Sequence, residues 1–290
     1  MGTITSEENA NPAADKDREF HFTDKEFLFI RELVARHTGI KLADAKREMV
    51  YGRLSRRLRQ LNIASFADYC TLLQDNAEEE LGSLINAITT NLTSFFRERH
   101  HFDYLTGALA PMLEKAKTDR RVRIWSAGCS TGAEPYSIAM TMREALPPTR
   151  GWDVKILATD IDTNVLQTAR DGVYGDRDVS GVPETQMRRW FMKGSGARAG
   201  CVRVKKELRD MIVFRQLNLL GPWPAKKPFD IIFCRNVVIY FDKDTQRKLF
   251  DRYADMLVPE GHLFIGHSES LYKVTERFRL IGQTIYRKKD

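Results

Sequence analysis

The residues best equipped for chemistry sit in one short run, Arg123–Ser137, which reads RIWSAGCSTGAEPYS. Gly128 and Gly132 bracket a turn of small residues, and an acid, Glu134, follows just ahead of Pro135. The run is not a phosphate loop, because it lacks the Gly-Lys-Ser/Thr ending. It is not a dinucleotide fingerprint either, which needs G-x-G-x-x-G. Gly-x-x-x-Gly followed by an acid suits a ligand that carries a cation, and S-adenosylmethionine (AdoMet) fits that description. An ordinary tight turn between a strand and a helix satisfies the same pattern. A second candidate is Asp160, at the end of LATDID, where an acid at a strand tip is placed to accept hydrogen bonds from ribose hydroxyls. His21, His37, His100, His101, His262 and His267 form no metal-ligand spacing, and Cys70, Cys129, Cys201 and Cys234 are scattered singly.

These groups need elements to hold them. Val122, Ile124 and Trp125 read as a strand that stops at Ser126, and Glu134-Pro135 opens a helical pattern through Tyr136, Ile138, Met140 and Met142. Strand, glycine turn and helix are the way an open α/β sheet presents a nucleotide site. Asp153–Ile161 reads as the next strand, followed by a helix through Val165, Leu166 and Ala169. Another helix is expected over Pro183–Phe191. Residues 190–193 and 201–204, joined by Gly194-Ser195-Gly196, look like an inserted hairpin. Further strands are expected at Ile212–Phe214, Phe229–Cys234 and Gly261–His267, with a helix Lys243–Leu257 capped by Asp242 and a closing hairpin over Phe278–Arg287.

Upstream the pattern is helical from Phe22 to about Thr89. Helices are expected from Thr23-Asp24 to Gly39, from near Asp44 to Leu61, over Phe66–Gln74 and over Glu78–Thr89. The second carries an apolar stripe of Val50, Leu54, Leu58 and Leu61. Arg53, Arg56 and Arg59 fall on another arc, flanked by Lys46 and Arg57, and Glu48 is the only acid from Lys46 to Arg59. A basic face of this kind suits an acidic groove or helix, although a solvated surface reads the same way. With 290 residues, 29% charged and a net charge of +7, the chain has room for a small and a mid-sized domain and favours an acidic partner. No apolar run is long enough to span a bilayer, the first residues lack a signal-peptide core, and the sparse cysteines suit a reducing cytoplasm.

Taken together, TTNLTSFFRE at 89–98, WSAGCSTGAEPYSIA at 125–139, LATDID at 157–162, FCRNVVIYFD at 233–242 and GHSE at 266–269 resemble the CheR-type chemotaxis receptor methyltransferases. The likeness runs from about Phe22 to Tyr286. It implies transfer of a methyl group from AdoMet to glutamate carboxylates on cytoplasmic chemoreceptor helices, leaving S-adenosylhomocysteine. The implied fold is a class I AdoMet-dependent methyltransferase: α/β, doubly wound, a mostly parallel sheet with a terminal antiparallel hairpin. A small all-α domain precedes it. The expected limits are a disordered tail at 1–19, a helical receptor-docking domain at 20–88 and a methyltransferase domain at 89–290, with an inserted β-subdomain near 190–213.

By motif the resemblance places cofactor contacts at Asn91, Thr93, Arg97, Glu134, Asp160, Asn218, Leu219, Asn236 and Val237. Glu134 then meets the ammonium, and Arg97 offers the carboxylate a bidentate fork. Asp160 holds the ribose, and Asn218-Leu219 meet the adenine. Arg97 and Tyr240 are the catalytic candidates, with Tyr240 orienting the acceptor carboxylate. Lys46, Arg53, Arg56, Arg57 and Arg59 are the receptor-docking set. A glutamate is ionised well above its pKa of about 4.3, so transfer needs alignment rather than a strong base or a metal. The resemblance also raises capture of a receptor C-terminal tail by the β-subdomain, and a monomer is expected. Cys129, inside the glycine turn, departs from the family pattern and raises sensitivity to oxidants.

Two rival readings remain at this stage. A nucleic-acid methyltransferase suits the charge, but Asn236-Val237-Val238-Ile239 lacks the Pro-Pro-aromatic ending that base methylation usually needs, and no aromatic lies between Arg53 and Arg59. A non-catalytic adaptor that kept the fold would bind no AdoMet.

Overall fold

The computed structural model describes residues 18–289 except 76, 225 and 226, so most of the tail expected at 1–19 lies outside the described residues. The chain divides into two compact units. One runs up to His37 and includes Leu42–Ile88; the other combines Thr38–Lys41 with the residues from Thr89 onward.

The first unit is helical: α1 (Asp24–Thr38), α2 (Arg47–Leu61), α3 (Phe66–Asp75) and α4 (Ala77–Ile88). Thr23 and Glu26 form a capping box at the start of α1, the Thr23 N–H donating to Glu26 Oε2 at 2.6 Å. A short 3-10 turn, Asp44–Lys46, precedes α2, and Asn62 ends it in the left-handed conformation with φ +54°. Val50, Leu54 and Leu58 of the expected stripe are fully buried, and the Phe22 and Phe66 rings meet at 4.2 Å. Each such side chain contributes roughly 1.5–3 kcal/mol.

The second unit opens with α5 (His100–Tyr104), a π turn at Leu105–Leu109 and α6 (Ala110–Ala116). The sequence pattern hides this stretch, because Gly107 and Pro111 interrupt its periodicity. There follow β1 (Arg121–Ala127), α7 (Ala133–Ala145), β2 (Asp153–Asp160), α8 (Thr163–Asp171), β3 (Val173–Gly175) and α9 (Glu184–Trp190). Next come β4 (Phe191–Lys193), β5 (Cys201–Val204), α10 (Lys206–Arg209), β6 (Ile212–Gln216) and β7 (Phe229–Cys234). The unit ends with α11 (Lys243–Met256), β8 (Leu257–Ile265), β9 (Phe278–Gly282) and β10 (Ile285–Lys288).

Seven strands form one sheet in the order β6-β2-β1-β7-β8-β10-β9, parallel from β6 to β8 and closed by the antiparallel β9–β10 hairpin. Alternate residues of β1 enter two cores: Val122 and Ile124 pack with Tyr136, Ile138 and Met140 of α7, whereas Trp125 and Ala127 pack with Leu249, Phe250 and Tyr253 of α11. A sheet covered on both faces explains why β7 is apolar and buried along its length. The expected hairpin β4–β5 is present, and β3 joins it to give a separate sheet in the order β3-β5-β4. At three residues β3 is too short to display alternation in sequence.

The sheet order reverses between β1, whose next strand lies on one side, and β7, which lies on the other. The carboxyl ends of these strands are where an open α/β sheet leaves a crevice for a ligand.

Candidate active site

The bend after β1 depends on glycine. Gly128 has φ +89°, and a Cβ there would lie 2.3 Å from Val237 Cγ2; Gly132 has φ +93° and is similarly crowded by Ala169 and the Tyr174 hydroxyl. The Gly128 and Cys129 N–H groups donate to the Thr159 carbonyl at 2.8 and 2.9 Å, which ties the bend to the end of β2.

Asp160 closes this bend from the β2 side. Its carboxylate accepts the Ser130 N–H at 2.8 Å and the Asp162 N–H at 3.0 Å, and burial raises its pKa. Asp162 caps α8, and its other oxygen accepts from Thr89 Oγ1 and Asn91 Nδ2, both at 2.7 Å. The Ser130 hydroxyl donates to the Asn91 carbonyl at 2.9 Å. The Thr89–Asn91 segment is therefore docked against the glycine bend, with Thr93 half-buried just beyond it.

Glu134 is buried, with Ser126 Oγ donating to one oxygen at 2.7 Å and Arg235 Nη1 to the other at 3.1 Å. Burial raises its pKa, with Arg235 and Ser126 opposing that shift. Arg235 is 6% exposed and lies at the end of β7. Its other nitrogen is 3.3 Å from Glu98 Oε2 and donates to the Arg97 carbonyl. Glu98 also meets His267 Nδ1 at 2.9 Å. Burial works to raise the Glu98 carboxyl, but Arg235 and His267 outweigh it and hold the group below the usual range. Buried Glu134 and partly buried Glu98 thus share one buried guanidinium. Removing one member of such a set strands the others and costs about 3–5 kcal/mol.

Because Arg235 takes both acids, Arg97 pairs with neither. Its guanidinium donates to the Leu92 carbonyl at 3.0 Å and meets no carboxylate among the described residues. Arg235 was missed at the sequence level. The available signal was a lone cation closing the apolar run FDIIFC, since a charge at a buried strand end must find partners.

Asn236 follows in the left-handed conformation, φ +59°, and Val237 packs onto Gly128. A second missed residue fixes this turn. Glu269 of the GHSE motif, 6% exposed, accepts N–H groups from Gly266 at 2.6 Å and from Asn236 and Val238 at 3.0 Å. Tyr240 lies on the following 3-10 turn, half-buried and outside the core that Phe241 joins, with its carbonyl accepting the Lys41 N–H. After β6, Asn218 Oδ1 accepts the Leu220 N–H at 3.0 Å, an Asx turn. The Leu219 side chain is buried, and its carbonyl accepts from Trp223 Nε1 and Arg252 Nη1.

The structure thus gathers Asn91, Glu134, Asp160, Asn236 and Val237 around the glycine bend, with Arg97 next to the Glu98–Arg235 pair. Cys129 is 1% exposed, and burial pushes its thiol well above the ordinary value, which makes it a poor target for oxidants.

The docking set belongs to the helical unit and divides in two. Arg57 forks onto Glu80 at 2.9 and 2.6 Å, Arg53 caps the α4 carbonyls of Ala87 and Ile88, and Arg59 pairs with Glu19. The expectation that Arg53, Arg56 and Arg59 stand in register without compensating acids is therefore corrected for Arg59, and the flanking Arg57 is paired as well; Glu19 and Glu80 are remote in sequence. Lys46 and Arg56 are exposed.

Comparisons with known proteins cover nearly the whole chain. A family model for the all-alpha domain of CheR methyltransferases matches residues 25–89, and one for their SAM-binding domain matches residues 91–287. Chemotaxis protein methyltransferase 2 of Pseudomonas aeruginosa is 49% identical over 276 residues, 93% of this chain and 95% of that protein. The chemotaxis protein methyltransferase of Escherichia coli is 45% identical over 267 residues, 91% of each chain. That of Klebsiella aerogenes is 44% identical over 288 residues, covering 98% and 96%.

Proposed function

The chain belongs to the CheR methyltransferase family, and from that premise we propose how its residues carry out methyl transfer to chemoreceptor glutamates. It is an AdoMet-dependent methyltransferase of chemotaxis. AdoMet, when bound, supplies an electrophilic methyl group on a sulfonium centre.

The observation that carries the residue-level reading is the charge balance at the glycine bend. Glu98 and Glu134 bring two negative charges against the single positive charge of Arg235, and this leaves room for one more cation. The ligand's ammonium answers it through Glu134. Arg97, which pairs with no acid among the described residues, turns its fork to the ligand's carboxylate. Asp160 and the docked Asn91 segment line the ribose side, Asn218 and Leu219 the adenine side. Asn236 and Val237 shape the floor beside Gly128, and Tyr240 orients the acceptor carboxylate. These residues bind, align and exclude water. Positioning of this kind contributes on the order of 7–11 kcal/mol, so no side chain has to act as a strong base.

The helical unit is assigned to receptor docking, with exposed Lys46 and Arg56 meeting an acidic receptor helix and Arg53, Arg57 and Arg59 holding the face in shape. The three-stranded sheet leaves β4 as an edge strand with Met192 45% exposed, which supports addition of a receptor-tail strand there. No described helix is long and apolar enough to cross a membrane. We assign the protein to the cytoplasm as a monomer.

Calorimetry with AdoMet and S-adenosylhomocysteine tests the site, and labelled AdoMet with receptor-bearing membranes tests the reaction. Saturable binding and base-labile label on receptor glutamates are expected. Label on nucleic acid instead would favour the rival substrate, and no binding would leave only an adaptor.

A further inference from the structure

The loop that carries Arg97 is held against its own backbone preference. Phe96 and Glu98, on either side of Arg97, both adopt the left-handed conformation, with φ +54° and +58°, and neither is glycine. That region is uncommon for residues with a Cβ, and a bulky aromatic stays there only where its surroundings enforce it. On the carboxyl side Arg235 does so, donating to the Arg97 carbonyl and pairing with Glu98 at 3.3 Å. On the amino side the hold comes from α7. We infer that Ser137 is a positioning residue for methyl transfer, because its hydroxyl fixes the Arg97 loop to the helix that carries Glu134.

The Ser137 side chain is fully buried. Its Oγ donates to the Ala133 carbonyl at 2.7 Å and accepts the Phe96 N–H at 2.9 Å. A hydroxyl has one proton and two lone pairs. The proton is committed to Ala133, so a lone pair faces Phe96. A serine inside a helix can make the first of these bonds with no further role. The second reaches 41 residues back in the chain and satisfies the backbone N–H of a strained residue.

The neighbouring rings hold the loop in a different way. Phe95 is buried, edge-on to Tyr174 at 5.0 Å and to Phe191 at 5.7 Å, and the Phe96 ring meets Phe102 at 5.2 Å. Such contacts anchor side chains but are not directional. The hydrogen bond to Ser137 is directional, and it acts on the main chain one residue before Arg97.

This role rests on the reading in which Glu134 meets the ligand's ammonium and Arg97 its carboxylate. Those two groups sit on one carbon of the ligand, so their anchors must stand at a fixed separation. Glu134 and Ser137 lie three residues apart on α7, as neighbours on one helix face. The Ser137 bond thereby sets the Arg97 loop relative to Glu134.

The test uses the full chain and S-adenosylhomocysteine, which has the same amino-acid end and is not turned over. In calorimetry Ser137→Ala should weaken its binding by about tenfold, because a misplaced anchor is costly. In an Arg97→Ala background the same substitution should change affinity by less than about twofold, since residues that act through one contact do not add. A substitution that only loosened α7 would cost the same in both backgrounds. Ser137→Cys keeps the volume with a weaker acceptor and takes the place of alanine if that variant fails to fold. Wild-type affinity in folded Ser137→Ala, or equal losses in both backgrounds, would overturn the role of Ser137 and leave Arg97 in the site. Wild-type affinity in Arg97→Ala would instead remove Arg97 from the site, and with it the reason for Ser137 to matter.

Discussion

At the level of single residues, the site is decided by which carboxylate each arginine reaches. Arg235 takes Glu98 and Glu134, so Arg97 meets no acid among the described residues, and in the proposed reading its fork turns to the ligand. Arg97→Ala should therefore abolish methyl transfer and weaken AdoMet binding at least tenfold, with an unchanged urea midpoint, because charge-assisted hydrogen bonds contribute about 1.5–3 kcal/mol and this one awaits its partner. Retained turnover would remove Arg97 from the site. Arg235→Ala should instead destabilise the fold, since it leaves buried Glu134 and partly buried Glu98 without their shared cation. The motifs exposed Arg97 and Glu134 as charged residues beside a turn. Their partners were not legible, because Arg235 lies 101 residues after Glu134 in the chain and 3.1 Å away in space.

Among elements, the turn after β7 and the helix α2 make separable predictions. Glu269 holds the turn through three backbone N–H groups. In Glu269→Gln an amide NH2 competes with those donors, with an expected cost of about 1–3 kcal/mol and a tenfold or greater loss of turnover. Urea midpoints and rates equal to wild type would free the turn from this carboxylate. On α2, charge reversal at Lys46 and Arg56 should reduce receptor methylation and spare AdoMet affinity. Arg57→Glu should lower stability instead, because it breaks the fork on buried Glu80. Equal losses of methylation and cofactor affinity from the Lys46 and Arg56 reversals would mean that this face has no docking role. The apolar stripe of α2 was legible from its spacing. Which arginines were spoken for was not, because their acids lie on other elements.

For the molecule as a whole, buried histidine ties stability to pH. Burial, with help from Arg287, lowers the His262 pKa from 6.5 to about 4. Between those values the unfolded chain binds the proton and the folded one does not, so this contribution is complete above about pH 6.5 and is lost as pH falls toward 4. The slope is up to about 1.4 kcal/mol per pH unit. Urea midpoints measured between pH 7.5 and 5 should fall accordingly, and His262→Gln should flatten that part of the curve. An identical slope in the variant would assign the loss to other groups.

The sequence by itself determined the order of elements from β1 onward apart from β3 and α10, the glycine bend, the family and the two-part organisation, because periodicity, turn chemistry and ordered motifs are local properties of a chain. The tertiary structure alone decided the pairing of Arg235 with two acids, the Glu269 clasp, the strand β3 and the helices α5, α6 and α10. Those depend on burial and on contacts between distant segments, where removing water makes a charge or a lone pair demand a partner.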